Sequence, residues 1–287
     1  DDWFLAARLA EEGKGPHPRE SFPFPPSYGY HFDAYKLGAF LRDWATARGV
    51  DHRPLKVAEV ELSAQGDVAA LLCEGGERIE GDLFVDCSGF RALIAQGALG
   101  GTFLPFSDNL FADRAVVMPT PRVERFRPQT EAMAMAAGWR WRIPLTTRTG
   151  NGYVYSSKYI ADEDAEAELR RAIGMEGSEE PASVLRMKVG RVENSWSRNC
   201  LAAGLAQGFI EPLEATALHI VIATALEFAE AYEQGGFSAQ HRDAFNRKIA
   251  ARYESIRDYI VAHYRLNQRT DSAFWRDNAA NHDLSDQ

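Results

Sequence analysis

The sequence predicts a mixed α/β fold whose segments interleave along the chain. The run "DLFVDCSG" is continuously apolar in its middle and stops at a glycine, which is typical of a parallel strand covered on both faces. The strongly apolar run "ALHIVIATAL" at 217–226 indicates a buried helix. Residues 114–191, between these two runs, have a β-rich pattern. We therefore expect a buried strand, a β-rich insert and a return to a long helix.

The N-terminal part predicts a helix and then β-like runs. A short helix-like piece and a stretch dense in proline and aromatic residues come first. Four apolar residues in the segment 33–48 recur at helical spacing: Leu37, Phe40, Leu41 and Trp44. Gly49 stands where a C-terminal cap belongs. The following segment, up to "DLFVDCSG", predicts three β-like runs, broken at 65–67 and at 75–76.

Within the β-rich insert, the stretch "GWRWRIPL" alternates aromatic and basic residues. Successive side chains of an extended chain point to opposite faces, so one face carries three apolar residues: Trp139, Trp141 and Ile143. Arg140 and Arg142 share the other face, and Pro144 ends the run because it has no N–H to donate. On its own, this stretch is interpreted as a half-buried strand with solvated arginines. A helix is predicted at 162–174, and a mostly helical chain follows the segment around 204–220.

Composition limits the classes of function. With 287 residues and 45% hydrophobic content, the chain is long enough for one large domain or two smaller ones. A net charge of −9 without a basic cluster argues against a nucleic-acid partner. The longest apolar run is far shorter than the roughly 20 residues that a membrane span needs. Because a leader segment is not evident and the three cysteines are widely spaced and odd in number, we expect a cytoplasmic protein.

Common catalytic motifs do not occur in the sequence. A Gly-x-Ser-x-Gly elbow, a His-Glu-x-x-His pair, a Cys-x-x-Cys pair and a Walker loop are all absent, and the seven histidines are scattered singly. We therefore do not expect a metal site. Cys87 could suggest a nucleophile, but a small buried residue is the favoured interpretation.

Two segments are candidate binding sites. In "GLAQGFIEPLEATALHI", Thr216 is a plausible N-cap of the apolar helix, and the N–H groups of Thr216, Ala217 and Leu218 would favour a bound anion. Glu214 would place a carboxylate beside that anion, although an ordinary acidic residue in a first helical turn is the alternative. In "VDCSGF", a buried strand ends in a turn of small residues, where α/β proteins place ligands.

Six segments, in the same order along the chain, resemble the flavin-dependent tryptophan halogenase family. They are "YHFDAYKLGAFLRDWATARGV", "GDLFVDCSGFRALI", the Trp-x-Trp-x-Ile-Pro motif, "GYVYSSKYI", "GFIEPLEATALHI" and "YESIRDYIVAHYRLNQRTDSAFWR". The resemblance implies an α/β FAD/NAD(P)-binding, Rossmann-like flavoprotein fold with a β-rich substrate-side insert and a helical C-terminal part. It assigns 1–95 and 198–232 to the FAD-binding domain, 96–197 to the β-rich region and 233–287 to the helical substrate side.

The resemblance also implies an activity. Reduced FAD, delivered by a separate flavin reductase, reacts with oxygen to a hydroperoxide, which a chloride or bromide ion attacks. The hypohalous acid so formed travels through a tunnel to a small electron-rich aromatic substrate such as tryptophan or indole. Family members are commonly dimers, which is compatible with a homodimer here.

The resemblance also implies roles for individual residues. Glu214 matches the catalytic glutamate, and Thr216 and Ala217 match the positions whose amides hold the halide. The matched cofactor-binding positions are Ser88, Gly89, Leu205, Gly208, Phe209, Pro212 and Leu218. The Trp-x-Trp-x-Ile-Pro residues would screen the substrate from the flavin: Trp139, Trp141, Ile143 and Pro144.

Three departures from the family pattern accompany the match. Ala217 stands where the family has glycine, so the halide loop is expected to differ in backbone angle, since alanine resists positive φ. The Gly-x-Gly-x-x-Gly fingerprint and the catalytic lysine that follows it are absent from this sequence. The C-terminal lid of the family would lie beyond Gln287. We therefore expect this chain to be an interior portion of a longer protein.

Two other functions stay open from the sequence. An aromatic monooxygenase of the same superfamily would hydroxylate its substrate without halide. A non-catalytic remnant of the fold would take up no FAD.

Overall fold

A computed structural model describes residues 5–15, 19–21, 23 and 28–283 of the chain. Part of the proline- and aromatic-rich stretch near the N-terminus lies outside these residues. The helices are α1 (Leu5–Glu11), α2 (Ala34–Thr46), α3 (Asp162–Ala172), α4 (Ala217–Gln234), α5 (Arg242–Arg265) and α6 (Ala273–Ala280). The strands are β1 (Val57–Leu62), β2 (Val68–Cys73), β3 (Arg78–Glu80), β4 (Phe84–Asp86), β5 (Phe103–Pro105), β6 (Arg114–Val117), β7 (Thr120–Pro121), β8 (Glu131–Met135), β9 (Gly138–Pro144), β10 (Arg148–Tyr155), β11 (Ser183–Arg186), β12 (Gly190–Val192), β13 (Trp196–Ser197), β14 (Cys200–Ala202) and β15 (Gly208–Phe209).

The chain divides into two compact units that alternate along the sequence. The first unit comprises Asp1–Arg53, Arg114–Tyr155 and Ile160–Leu185. The second comprises Pro54–Asp113, Ser156–Tyr159 and Arg186–Gln287. The interleaving that the sequence predicts is therefore present. The assignment of 1–95, 96–197, 198–232 and 233–287 to cofactor and substrate sides stays a prediction.

An antiparallel sheet forms the centre of the first unit, with strand order β11-β6-β10-β9-β8. One face packs against α3 around a buried apolar cluster: Val116, Met118, Met135, Tyr153, Tyr155, Ala165 and Leu169. In the β9–β10 register, Arg140 lies opposite Tyr153, and Trp141 lies opposite Gly152. Because side chains alternate along a strand, the arginines of β9 face α3 and the tryptophans face the other side.

Of the two arginines of β9, Arg140 is buried and Arg142 stays partly exposed, so the interpretation of solvated arginines was wrong for Arg140. Arg140 is only 8% exposed, because the sheet face that carries it is covered by α3. Arg142 forms an ion pair with Glu131 of β8 at 3.2 Å. Pro144 is the last residue of β9, as its missing N–H predicts.

Helix α2 of the first unit confirms the helix predicted at 33–48. The side chain of Asp33 caps it by accepting hydrogen bonds from the backbone N–H groups of Tyr35 and Lys36. Gly49 follows the helix with a φ of +92°, the left-handed conformation that glycine adopts most easily. The apolar side chains of Phe40, Leu41 and Trp44 are exposed within the described part of the chain.

Small sheets and three helices build the second unit. The meander β1-β2-β3 is antiparallel, as is the sheet β15-β12-β5. In the sheet β13-β14-β4, strand β4 runs parallel to β14, which confirms the parallel strand predicted in "DLFVDCSG". The third β-like run divides into β3 and β4, which belong to different sheets.

Two expectations of complete burial were wrong. Val85 in the middle of β4 is 51% exposed, so the described residues leave one face of this strand partly uncovered. On α4, three apolar side chains spaced four residues apart are exposed: Leu218, Ile222 and Leu226. Helix α4 instead buries its opposite side, through Ile220, Thr224 and Phe228.

Among the residues that the structure describes, no helix is both long enough and apolar enough to cross a bilayer.

Candidate functional site

The predicted ligand-binding edge of the second unit forms where two parallel strands end. Strands β4 and β14 lead into turns at their carboxyl ends, the edge at which α/β sheets commonly bind ligands. The first turn begins at Ser88 and the second at Gly204. Phe90 of the first turn packs edge-on against Phe209, with ring centroids 5.8 Å apart. The structure therefore brings the two predicted cofactor segments together.

Asp86, at the end of β4, organises the first turn. This carboxylate is 1% exposed and accepts hydrogen bonds from the Ser88 N–H at 3.0 Å and the Ser88 hydroxyl at 2.6 Å. It also accepts hydrogen bonds from the N–H groups of Ile94 and Ala95 at 2.9 and 2.8 Å. Its role is to fix the turn and the helical turn after it. The sequence signal for Asp86 was its position at the end of a strand, before small residues.

The two turns leave room for a ligand against their backbone. Gly89 and Gly204 have φ values of +73° and +59°, and a Cβ added at either would meet no atom within 4 Å. Leu205 beside them is 41% exposed. Gly208 differs, because a Cβ there would lie 2.6 Å from the Gly190 carbonyl oxygen, so its glycine allows β15 to pack on β12. Its predicted cofactor contact, and that of Pro212, stay predictions.

Glu214 lies in a strained turn directly before α4. Glu214 has a φ of +69° and Ala215 one of +52°, within the short 3₁₀ turn Leu213–Ala215. Residues other than glycine rarely adopt this left-handed conformation, which costs about 1–3 kcal/mol each. Such strain persists only where the surrounding structure holds it, and it occurs often at functional sites.

The N-terminus of α4 follows at once. Thr216 is the N-cap residue, as predicted, but its side chain makes no capping hydrogen bond. Its Oγ1 atom is buried and has no hydrogen-bond partner among the described residues. The first N–H groups of an α-helix have no acceptor within the helix, so this end presents free donors and a positive dipole.

Ala217 does not need the backbone angle of a glycine. Ala217 is the first residue of α4, and its φ is not positive. The positive φ values in this segment belong to Glu214 and Ala215. The expectation that the halide loop differs in backbone angle from that of the family stays a prediction. Leu218, the next residue, is 53% exposed and offers an apolar surface beside the helix start.

Glu214 has a partner that the sequence analysis missed. The Nε2 atom of His263, in the last turn of α5, lies 3.3 Å from Oε1 of Glu214. Nearby on the same two segments, the hydroxyl group of Tyr264 donates to the buried Glu211 carboxylate at 2.6 Å. A histidine far away in sequence gives no local signal, so only its place in "YESIRDYIVAHYRLNQRTDSAFWR" could have indicated it.

The paired tryptophans belong to the first unit. Trp139 is 6% exposed, Trp141 is half-buried, and their ring centroids are 6.1 Å apart. The Trp141 ring lies over Gly152, where an added Cβ would approach it to 2.0 Å. At the end of the strand, the Pro144 carbonyl oxygen lies 3.1 Å from Nδ1 of His31. Trp139, Trp141 and Ile143 share one face of β9, as predicted.

Two other kinds of site were considered in this chain: a nucleophilic cysteine and a metal site. Cys87 is exposed, so the expectation of a buried residue was wrong, because the edge strand β4 leaves its end uncovered. Partial burial and the Asp86 carboxylate raise the pKa of the Cys87 thiol, which disfavours the nucleophilic thiolate. Within the described ranges, no cluster of metal-ligating side chains occurs.

The second unit combines three features of a candidate site. Free amides and a buried hydroxyl group at the start of α4 can hold an anion. Glu214 adds a carboxylate that can accept a proton, and the two glycine turns leave space for a large ligand. This combination fits a reaction that uses a bound anion and needs a group that accepts a proton.

Comparisons with known proteins place these features in one family. The tryptophan halogenase family model matches residues 1–287. The chain is 38% identical over 276 residues to the 7-chloro-L-tryptophan 6-halogenase KtzR of Kutzneria sp. (strain 744), covering 95% of this chain and 52% of that protein. It is 36% identical over 256 residues to the tryptophan 7-halogenase RebH of Lentzea aerocolonigenes, covering 88% and 48%. The chain thus spans about half the length of the curated relatives it matches.

Solved structures of halogenases have the same fold as this chain. The tryptophan 6-halogenase SttH from Streptomyces toxytricini superimposes with a TM-score of 0.92 at 36% identity, covering 99% of this chain and 58% of that chain. BrvH, a flavin-dependent halogenase from Brevundimonas sp. BAL3, superimposes with a TM-score of 0.89 at 35% identity, covering 96% and 57%. The FAD-binding, Rossmann-like fold class predicted from the sequence is confirmed.

Proposed function

The chain belongs to the tryptophan halogenase family, and from this premise we propose that it forms part of an FAD-dependent halogenase of electron-rich aromatic compounds. One observation carries the proposal: a strained turn, Glu214–Ala215, places a glutamate immediately before the N-terminus of α4, whose first N–H groups have no acceptor within the helix.

The residues at the strand ends fit FAD. The turns at Gly89 and Gly204 leave open space where side chains would otherwise stand, so a ligand can approach their backbone closely. Leu205 and Leu218 are exposed apolar side chains that would contact the flavin ring. We assign cofactor contacts to these residues and to Ser88 and Phe209. When bound and reduced, FAD supplies the oxidising chemistry by which oxygen and halide yield hypohalous acid.

The start of α4 fits a halide ion. We propose that the N–H groups of Thr216 and Ala217 hold chloride or bromide, since an anion there interacts favourably with the helix dipole. The buried Thr216 hydroxyl group, which has no other partner in the described chain, can donate to the same ion. The chain offers no argument for one halide over the other.

Glu214 would act on the substrate. Hypohalous acid transfers its halogen to a ring carbon, so a carbon–halogen bond forms and the halogen–oxygen bond breaks. The carboxylate of Glu214 then accepts the proton that leaves the same carbon, and the hydroxide released takes up a proton to become water. Trp139, Trp141, Ile143 and Pro144 keep their proposed role of screening the substrate from the flavin.

We propose a small aromatic substrate of the tryptophan or indole type. The relatives named above act on tryptophan or chlorotryptophan according to their names. A separate flavin reductase as partner, a homodimer and a cytoplasmic location are further parts of the proposal.

The test is a reaction of the complete gene product with FAD, a flavin reductase, NADH, bromide and either indole or tryptophan. We expect a brominated product, which mass spectrometry identifies by the paired isotope peaks of bromine. An oxygenated product without bromine would support the monooxygenase instead. A protein that takes up no FAD would support the non-catalytic remnant.

A further inference from the structure

The carboxyl group of Glu214 has a histidine neighbour whose tautomer the structure defines. His263 Nδ1 lies 2.9 Å from the carbonyl oxygen of Tyr259, one turn earlier on α5. A carbonyl oxygen only accepts hydrogen bonds, so Nδ1 must carry a proton. His263 Nε2 is the atom that faces Glu214, at 3.3 Å. In neutral His263, this Nε2 therefore has a lone pair and no proton.

This arrangement lets the two groups share one proton. An ionised carboxylate has no proton to donate, and neutral Nε2 has none either. The contact becomes a hydrogen bond when one proton enters the pair, either as a carboxylic acid that donates to Nε2 or as an imidazolium that donates to the carboxylate. The pair is thus ready to receive a proton.

We propose that His263 is a positioning residue that holds the Glu214 carboxyl group and takes over the proton that this group accepts. The inference rests on the proposed function, in which the proton comes from the aromatic ring. The O–H bond on Glu214 breaks as an N–H bond forms on Nε2, which restores the carboxylate and moves a positive charge to the imidazole. The His263 side chain is 36% exposed, so the proton then passes to solvent.

The groups around His263 are acidic or neutral. His263 lies in the last turn of α5, where the free carbonyl groups give the helix end a partial negative charge. Among the described residues, the titratable groups in contact with it are Glu214 from the turn before α4 and Tyr259 from its own helix, whose ring packs edge-on at 4.9 Å. Neither of these groups is cationic.

The same contact sets the position of the Glu214 carboxyl group. A half-exposed ion pair contributes little to folding stability, so a variant at His263 should fold normally. The position of the carboxyl group should nevertheless change, because His263 Nε2 lies 3.3 Å from its Oε1 atom.

The kinetic experiment compares His263→Gln and His263→Ala in the complete gene product loaded with FAD. Glutamine keeps an N–H donor near Nε2 but cannot take a proton, whereas alanine removes both capacities. We expect kcat for halogenation to fall by about tenfold to a hundredfold in both. This is less than the roughly 10²–10⁴-fold contribution of a group that takes the proton directly, because His263 acts through Glu214. The KM for the aromatic substrate should stay within about twofold. His52→Gln, at an exposed residue of the first unit, is the control and should keep wild-type turnover.

A deuterium isotope effect separates proton transfer from a structural role. With substrate deuterated at the halogenated carbon, the wild type should discriminate little between the two isotopes, because loss of the ring proton is fast. In His263→Gln, that step should become limiting and the isotope effect should rise. Wild-type kcat and an unchanged isotope effect in His263→Gln would overturn the proposal. Full activity in His263→Gln with loss in His263→Ala would also overturn it, because a donor alone would then suffice.

A measurement without turnover distinguishes this inference from the proposed function. ¹⁵N NMR of histidine-labelled protein should show His263 protonated at Nδ1 when neutral, and Glu214→Gln should shift its Nε2 signal. If the wild type halogenates nothing but these signals appear, the proposed function fails and the proton-sharing pair stands. If Nδ1 is unprotonated, or Nε2 does not respond to Glu214→Gln, the pair itself is wrong.

Discussion

At the residue scale, the site depends on a few side chains whose backbone or neighbours are unusual. Glu214 adopts a left-handed conformation, and Thr216 buries a hydroxyl group without a partner in the described chain. Each of these features has a cost in folding free energy without a bound ligand. They lie within three residues of each other, which is why the halide and proton-acceptor roles are proposed for this turn.

Glu214→Gln removes the proton acceptor and keeps the shape of the side chain. We expect kcat for halogenation to fall by about 10²-fold or more, the contribution of a positioned general base. FAD binding should stay unchanged, because the glycine turns and apolar residues proposed for that contact are untouched. Turnover assays and flavin fluorescence titrations measure the two effects. Wild-type turnover in the variant would show that Glu214 is not the proton acceptor.

Gly152→Ala tests the packing of the tryptophan pair. The new Cβ would lie 2.0 Å from the Trp141 ring, so the ring must move. Overpacking of this kind typically costs about 1–3 kcal/mol, which should lower the free energy of unfolding and alter tryptophan fluorescence.

Gly150→Ala, on the same strand, is the matched control. Its Cβ would meet only the Ile143 carbonyl oxygen at 3.7 Å, an ordinary contact. Urea unfolding of both variants should therefore separate them. Equal stability of the two would mean that Trp141 does not lie over Gly152.

At the element scale, the pairing of α4 with α5 supports the site. Glu227 of α4 accepts a hydrogen bond from Arg252 of α5 at 2.6 Å, and Lys248 lies 3.3 Å from the same oxygen. The Arg252 guanidinium, and then Lys248, hold the pKa of the Glu227 carboxyl below its usual value. These contacts link the helix that would hold the halide to the helix that carries His263.

Glu227→Gln should show at which pH the contacts of Glu227 with α5 stabilise the fold. Because its pKa is lowered on folding, Glu227 stabilises the fold above its usual pKa of 4.5, and the contribution disappears as pH falls through the lowered value. We expect the variant to melt a few degrees below the wild type at pH 7, with the gap closing in strong acid. Glu230→Gln, at an exposed residue of the same helix, should show no such gap. A gap that persists at low pH would assign the loss to packing instead of charge.

At the scale of the whole molecule, each compact unit carries its own part of the proposed function. The second unit contains the strand-end turns, Glu214 and the start of α4, and the first contains the tryptophan pair. The residues proposed to contact the cofactor therefore lie in one unit although their segments are far apart in sequence.

Binding of FAD should raise the thermal stability of the complete gene product. A ligand that binds only the folded state at 100 times its Kd adds about 2.7 kcal/mol, so the Tm should rise with FAD concentration. Differential scanning calorimetry with and without FAD measures this, and riboflavin, which lacks the diphosphate, should have a smaller effect. A Tm that does not respond to FAD would contradict the assignment of a cofactor site.

The sequence by itself determined the local elements and the chemistry of the motifs. The spacing of Leu37, Phe40, Leu41 and Trp44 defined a helix, the alternation around Trp139 and Trp141 defined the faces of β9, and Pro144 defined its end. These predictions succeed because periodicity and the missing N–H of proline act within a few residues. The family motif likewise indicated Glu214, since its neighbours in sequence carry the signal.

Only the tertiary structure decided which surfaces are covered and which distant groups meet. Arg140 is buried because α3 covers its face of the sheet, and Leu218, Ile222 and Leu226 are exposed because α4 packs by its other side. His263 reaches Glu214 because α5 ends beside the turn before α4. Burial and contact depend on how elements pack, and an apolar pattern shows that a face prefers burial without showing what covers it.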